Sequence, residues 1–450
     1  MSLKTSAQQQ LFHLSKRAKT SSSASSSSSC SDATATAPPT LRAGLSVWTP
    51  RHWTNAEPIE TLRRILLEDG VAVVPDVIDA AAAGAFITGI KTVLASCNAQ
   101  WAVKSASGTD GHGLQKYYGI ASSSPCQAVR CAPGVLGVYR RLYGLPAAVE
   151  VKSVTSAAAA GGGGATTASL TPQKRPPSAS AALAGSVDAC ALLSVHHVRR
   201  PKTKVGASNS RASALLGGST LKPHVDIVAD GPSAALTRTL PRCFPHVVQG
   251  SVACIDQIAR AVPNAAPGAA WVAPPGFVAM KGSVQCDQPP LSTRTKADFY
   301  CLPPDELELH RVAERLAYVN IPARALVLWL STTVHTSYRG DADAFAGAAP
   351  DALARAAQMV CYAPAQCRSA LARARKEAIW DDATQRAARR DEMSAKEWKR
   401  LPKRGASTSH YPHKCVSAGP GHYSNRRDVT HPSHWRTHHG TLSATQAALL

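Results

Sequence analysis

Long stretches of this chain carry too little apolar side chain to bury, and they divide everything that can fold. Residues 1–45 are rich in Ser, Ala and Thr. Residues 153–188 pass through an Ala/Gly run and a Pro/Ser tract, and residues 203–220 are again polar and Ser-rich. Segments this poor in apolar groups do not recover the entropy lost on ordering, so they read as a tail and surface loops. The 450 residues then reduce to one principal core over 46–365, followed by an extension over 366–450.

Within that core every candidate element is short. Ile59, Leu62, Ile65 and Leu66 share one helical face over 58–68, with Pro58 suited to a first turn. Asp69-Gly70 turns the chain into the apolar strand 71–75, which a proline stops. Helices are also expected over 79–94, 135–143 and 306–316, and a polar-aromatic strand or loop over 115–120. Apolar runs at 191–198, 247–256, 325–330 and 355–362 read as strands, as does 268–277, which ends in a Pro-Gly turn. Many short strands with helices massed at one end suggest an α+β, mainly β fold. The expected core is a double-stranded β-helix, or jelly roll, with flanking N-terminal helices and a basic helical or irregular C-terminal extension.

Chemistry concentrates in Leu221-Lys222-Pro223-His224-Val225-Asp226 and in His335, which follows the strand 325–330. Positions i and i+2 of a strand point to one face, so His224 and Asp226 can reach the same metal ion. Two histidines and one carboxylate on one face of a metal leave its other positions open, the arrangement of non-haem Fe(II) oxygenases. A lone His-x-Asp is common by chance; its place ahead of two core strands, with a later strand and histidine, gives it weight. The bland alternative makes His224 and Asp226 a surface loop and His335 a hydrogen-bonded strand-end histidine. The C-terminal histidines (His410, His413, His422, His431, His434, His438 and His439) lack a framing cysteine pattern and fit a polar tail better than a zinc site.

The net charge of +21 fits a nucleic-acid partner and equally fits solvated basic tails; residues 366–450 alone hold 16 Lys and Arg against 7 Asp and Glu. None of the 12 cysteines forms a CxxC pair, so reduced thiols in a nuclear or cytoplasmic setting are expected. No membrane span or signal peptide is legible. Gln8, Leu11 and Leu14 fall at the spacing of a sliding-clamp-binding peptide, but Leu14 and Ser15 stand where its two aromatics belong. The basic run Lys16-Arg17-Ala18-Lys19 could serve in nuclear import.

The helix, Asp-Gly turn, valine strand, Pro-Asp and helix of 58–94, with His224, Asp226 and His335, resemble the phytanoyl-CoA dioxygenase-like branch of the Fe(II)/2-oxoglutarate oxygenases. The likeness covers roughly 48–365. It implies Fe(II) held by His224, Asp226 and His335, with 2-oxoglutarate as cosubstrate and O2 as oxidant. The reaction would be hydroxylation of an organic substrate with release of succinate and CO2. Arg355 maps onto the family's anchor for the cosubstrate's distal carboxylate, with Arg339 as competitor, since 340–350 looks inserted. His335-Thr336-Ser337 matches the family's His-x-Ser, making Ser337 a cosubstrate donor, while Lys116 and His196 lie where relatives contact the same molecule. Phe277 and Val278 replace the Ser-His of a family turn. The implied substrate is a small molecule, with a methylated nucleobase as the alternative. A non-catalytic nucleic-acid-binding protein on this fold is the third reading.

Overall fold

The computed structural model describes residues 41, 44–97, 114–115, 124–146, 183–185, 193–197, 221–226, 240–261, 270–285, 300–345, 348, 352–364 and 367, all within one unit that begins at Pro39. In chain order its elements are β1 (Ser46–Trp48), α1 (Ile59–Asp69), β2 (Val71–Val74), α2 (Ala80–Cys97), β3 (Leu114–Gln115), α3 (Ser124–Arg130) and α4 (Pro133–Leu142). Next come β4 (Leu183–Gly185), β5 (Leu193–His197), β6 (His224–Val225), β7 (Val248–Ala253), β8 (Arg260–Ala261), β9 (Trp271–Val272) and β10 (Gly276–Met280). The remainder are β11 (Tyr300–Cys301), α5 (Pro304–Leu309), α6 (Val312–Arg315), β12 (Leu316–Val319), β13 (Leu326–Leu330), β14 (His335–Tyr338) and β15 (Leu353–Pro364).

These strands form two main sheets. One runs β1-β12-β10-β14-β6-β11, and the other runs β2-β13-β7-β15-β5-β3, with β4 pairing the end of β15. Every pairing in them is antiparallel except β1 with β12.

Side-chain parity explains how the sheets stack. Phe277, Ala279 and Val319 of the first sheet share a buried cluster with Val71, Val73, Ala253, Val327 and Trp329 of the second. The alternate residues of the second sheet, among them Val74, Val248, Val252, Leu326 and Leu328, face the helices instead. There they meet Leu62, Ile65 and Leu66 of α1, Phe86 of α2, and Leu136 and Tyr139 of α4. Each fully buried Leu or Ile contributes about 1.5–3 kcal/mol. The result is the layering of a β-sandwich with helices on one outer face.

Several expectations meet the structure with changes. The helix of α1 and the turn at Gly70 stand: Gly70 takes φ 81°, a left-handed cap that glycine adopts without strain, and donates its N–H to the Leu66 carbonyl. Pro58 is the residue before the helix rather than within its first turn. The expected Pro-Gly turn is replaced by the start of β10, because Gly276 and Phe277 already pair with Tyr338 and Ser337. The helix over 306–316 breaks at Arg311, whose φ is 49°, and its last residue opens β12. Leu183–Gly185 is a strand inside what reads as a surface loop, taken up by the overhanging end of β15 at Tyr362–Pro364. The N-terminal tail with its Gln8 peptide and basic run, and the C-terminal extension beyond Cys367, lie outside the described residues.

Candidate metal centre

The loop between β13 and β14 builds the site. Ser331 donates its N–H and its hydroxyl to the Val247 carbonyl, at 3.0 and 2.9 Å, while its own carbonyl accepts the Asp226 N–H at 3.0 Å. Thr333 donates its hydroxyl to the Gly70 carbonyl at 3.0 Å, and the Val334 N–H reaches Ser283 Oγ at 2.9 Å. On the other side, the Thr336 hydroxyl donates to the Leu221 carbonyl at 2.7 Å. Three of the four turn residues are thereby tied to four other points of the chain, at Val247, Asp226, Gly70 and Ser283. His335 follows directly.

β6 and β14 meet at one register pair, His335 opposite His224. Paired residues on antiparallel strands point to the same face. Here it is the inner one, since Ala279, the partner of His335 on β10, belongs to the intersheet core. The two rings lie 4.3 Å apart between centroids, and both are buried. His224 Nδ1 lies 2.8 Å from the Lys222 carbonyl, and His335 Nδ1 lies 2.9 Å from the Thr333 carbonyl. A carbonyl only accepts, so each Nδ1 carries a proton, and in the neutral imidazole the lone pair is then on Nε2. Both Nε2 atoms point at Asp226, at 3.6 Å from Oδ1 for His224 and 3.3 Å from Oδ2 for His335.

Nitrogen and carboxylate atoms of His224, Asp226 and His335 lie within 4.8 Å of one another. Burial alone would push Asp226 upward, but the His335 imidazole, then His224 and a hydrogen bond from Gln249, outweigh it and hold the carboxyl at about 2. An anionic carboxylate with two imidazole lone pairs aimed inward is the donor set for a borderline divalent metal, and carbonyls behind the imidazoles fix the tautomer as second partners do in metal sites.

Around this group stand aromatic and polar side chains. Trp329 packs on Phe277 and on His335, with centroids 4.7 and 5.5 Å apart, and Phe277 lies 5.6 Å from His335. Polar atoms on the inner face of the second sheet go unmatched: Gln249 Oε1 and Ser251 Oγ on β7, Trp329 Nε1 on β13 and Arg355 Nε on β15 have no hydrogen-bond partner among the described residues. All four residues are buried. Such atoms each cost about 1–3 kcal/mol unless a ligand satisfies them.

Arg355 lies on the side of β15 that carries Ala357, the partner of core residue Ala253. Burial lowers its guanidinium to about 10, and Tyr318 opposes that shift. The Tyr318 ring contacts that of Tyr338, which ends β14, with centroids 5.8 Å apart. Arg355 therefore belongs to the Tyr338 end of the strand that His335 opens, about 10 Å along at 3.3 Å per residue. Arg339, the competing anchor, is only half-buried in the turn after β14. Ser337 is buried two residues past His335 on the same face. His196 sits in register opposite Arg355 on β5. Lys116 and the C-terminal histidines lie outside the described residues.

Gln249 and Trp329 are site residues that the sequence reading passed over. Their signal was present: Gln249 and Ser251 are polar residues at alternate positions of an otherwise apolar strand, and so share one face of it.

No family model and no curated protein matches the chain. Among solved structures it is similar to the epimerase SnoN in complex with Fe3+, α-ketoglutarate and nogalamycin RO, at 14% identity and a TM-score of 0.37 over 68% of this chain and 83% of that one. It is also similar to the GlcNAc-inducible gene product GIG2 from Candida albicans, at 8% identity and a TM-score of 0.40 over 89% and 83%. A hypothetical protein, JW0805 from Escherichia coli, gives 13% identity and a TM-score of 0.36 over 74% and 77%. These are distant likenesses, and the chemistry assigned to this chain rests on its own residues.

Proposed function

We propose that this chain is an Fe(II)- and 2-oxoglutarate-dependent oxygenase that hydroxylates an organic substrate, built on a jelly-roll core. One observation carries the reading: two buried imidazoles, each with Nδ1–H fixed on a carbonyl, turn Nε2 toward one ionised carboxylate. His224, Asp226 and His335 would hold the metal. The donor set is that of the two-histidine, one-carboxylate facial triad, which leaves coordination positions open for a cosubstrate and oxygen.

Arg355 would take the distal carboxylate of 2-oxoglutarate. A buried guanidinium with an unmatched Nε and a depressed pKa favours an anionic partner, and arginine's planar fork suits a carboxylate. Its place one short strand from the metal group fits a short dicarboxylic acid lying between the two. Ser337, between them on the same face, is the candidate hydrogen-bond donor to that molecule. Trp329 and Phe277 form the apolar wall that keeps water from the metal's side. When bound, the iron supplies the oxidising chemistry, with 2-oxoglutarate as the electron donor that leaves as succinate and CO2.

Succinate formation tests this. Protein loaded with Fe(II) without oxygen, then given 2-oxoglutarate and air, should release succinate, and Asp226→Ala should not. Succinate release equal in wild type and Asp226→Ala contradicts the assignment. Methylated DNA and acyl-CoA thioesters are the first substrates to screen, since a nucleobase and a small apolar molecule are both served by the same metal chemistry. A steep dependence of DNA binding on salt would favour the nucleobase.

A further inference from the structure

We infer that Thr333 is a positioning residue of this metal centre: its hydroxyl anchors the turn whose carbonyl orients the His335 ring, so that the fold itself sets this ligand. The inference rests on the metal assignment above and concerns what holds one of its ligands. Thr333 is fully buried and bonds in three directions. Its N–H donates to the Leu330 carbonyl at 2.8 Å, which closes the turn after β13. Its hydroxyl donates to the Gly70 carbonyl at 3.0 Å, and its own carbonyl accepts the His335 Nδ1–H at 2.9 Å. One residue thus joins the imidazole to the end of α1.

The anchor point is firm. Gly70 caps α1, and its carbonyl accepts the Leu330 N–H at 3.1 Å as well as the Thr333 hydroxyl. A Cβ on Gly70 would stand 2.8 Å from Thr333 Oγ1, so the hydroxyl lies directly against the glycine. A second strut runs beside the first. Gly282 donates its N–H to the Asp69 carbonyl at 2.9 Å, and the hydroxyl of the next residue, Ser283, accepts the Val334 N–H at 2.9 Å. The last residue of α1 and its cap therefore brace the two residues that precede His335. The carbonyl that takes the His224 Nδ1–H belongs instead to Lys222, whose side chain is exposed. Two imidazoles with the same backbone bond are thus supported unequally, and His335 is the better fixed. Partners behind a ligand set its ring orientation, and metal affinity depends on them.

Thr333→Val keeps the shape and removes the hydroxyl; Thr333→Ser keeps the hydroxyl. Its removal strands no carbonyl, because Gly70 still accepts from Leu330. Metal affinity is measured by titrating each protein with Co(II), and coordination is read from the visible spectrum of the Co(II) form. Losing a support behind a ligand weakens metal binding by about 10–100-fold. Thr333→Val should lose about 10-fold with a changed Co(II) spectrum, and Thr333→Ser should return both to wild type. Tyr362→Phe removes another buried hydroxyl bond, to the Arg130 carbonyl on the helical side of the second sheet. It should lower the temperature of unfolding and leave affinity and spectrum unchanged. If the valine variant does not fold, Thr333→Ala against Thr333→Ser differs by the hydroxyl alone and should show the same split. Wild type that binds Co(II), with variants lacking the hydroxyl of equal affinity and identical spectrum, overturns the inference and leaves the metal assignment standing. An equal loss in Thr333→Ser or in Tyr362→Phe overturns it too. Wild type that binds no metal overturns both.

Discussion

His224 and His335 oppose each other at a single register pair between β6 and β14, and each bonds through Nδ1 to the carbonyl two residues before it. The repetition matters physically. Both imidazoles are locked in the same tautomer by their own backbone, so their lone pairs converge without help from a metal. A His335→Gln variant retains size and hydrogen bonding but has no ring nitrogen to ligate. It should lose metal in equilibrium dialysis while keeping the far-ultraviolet circular dichroism of wild type; His224→Gln should match it.

Arg355 should trade stability for binding. Its folded pKa, lowered to about 10 from 12.5, means that folding disfavours the charged form. That cost is fully present below pH 10 and fades as pH rises from there toward 12.5. Arg355→Met should therefore unfold, without ligand at neutral pH, at a temperature equal to or above wild type. Adding 2-oxoglutarate should raise the transition of metal-loaded wild type, by about 2.7 kcal/mol at a hundred times Kd, and leave Arg355→Met unmoved. Thermal melts with and without the diacid read both effects.

Asp226 stays ionised across the working range. Its pKa is lowered to about 2 from 3.8, so the stability it contributes is complete above about pH 4 and disappears as pH falls through 2. Metal lost well above that range is therefore not lost through protonation of Asp226. Asp226→Asn should abolish loading at every pH, rather than shift the curve of metal retention against pH.

Two glycines of α4 should respond oppositely to alanine. A Cβ on Gly134 would come within 2.2 Å of the Val77 carbonyl oxygen, whereas one on Gly137 meets nothing within 4 Å. Gly137→Ala should stabilise by about 0.5–1 kcal/mol, the helix-interior preference. Gly134→Ala should destabilise by about 1–3 kcal/mol, because backbone at a close approach cannot yield. Urea unfolding of both variants separates the two.

How much of this was legible in the sequence depended on the reach of each interaction. α1, the Gly70 turn, β2, β7 and β13 were readable because periodicity and a turn residue are local signals. The grouping of His224, Asp226 and His335 was readable because the first two are two residues apart and the third stands behind a clear apolar strand. Gly276 and Phe277 were misread because a Pro-Gly pair usually turns, whereas here long-range pairing with Tyr338 and Ser337 keeps the chain extended. β12 was hidden by an apolar pattern at 312–319 that serves a helix turn and a strand alike. Ser331 and Thr333 hold Asp226 and His335 through their own carbonyls and are anchored by hydroxyl bonds to the Val247 and Gly70 carbonyls, none of which leaves a mark in the sequence.

The most direct measurement is an anaerobic calorimetric titration of the full chain, first with Fe(II) and then with 2-oxoglutarate. One metal ion and then one diacid should bind per chain, Asp226→Ala should bind neither, and Arg355→Met should bind the metal alone. A chain that takes up no Fe(II), or that binds 2-oxoglutarate equally well after Asp226→Ala, contradicts the assignment of His224, Asp226 and His335 as an oxygenase metal centre.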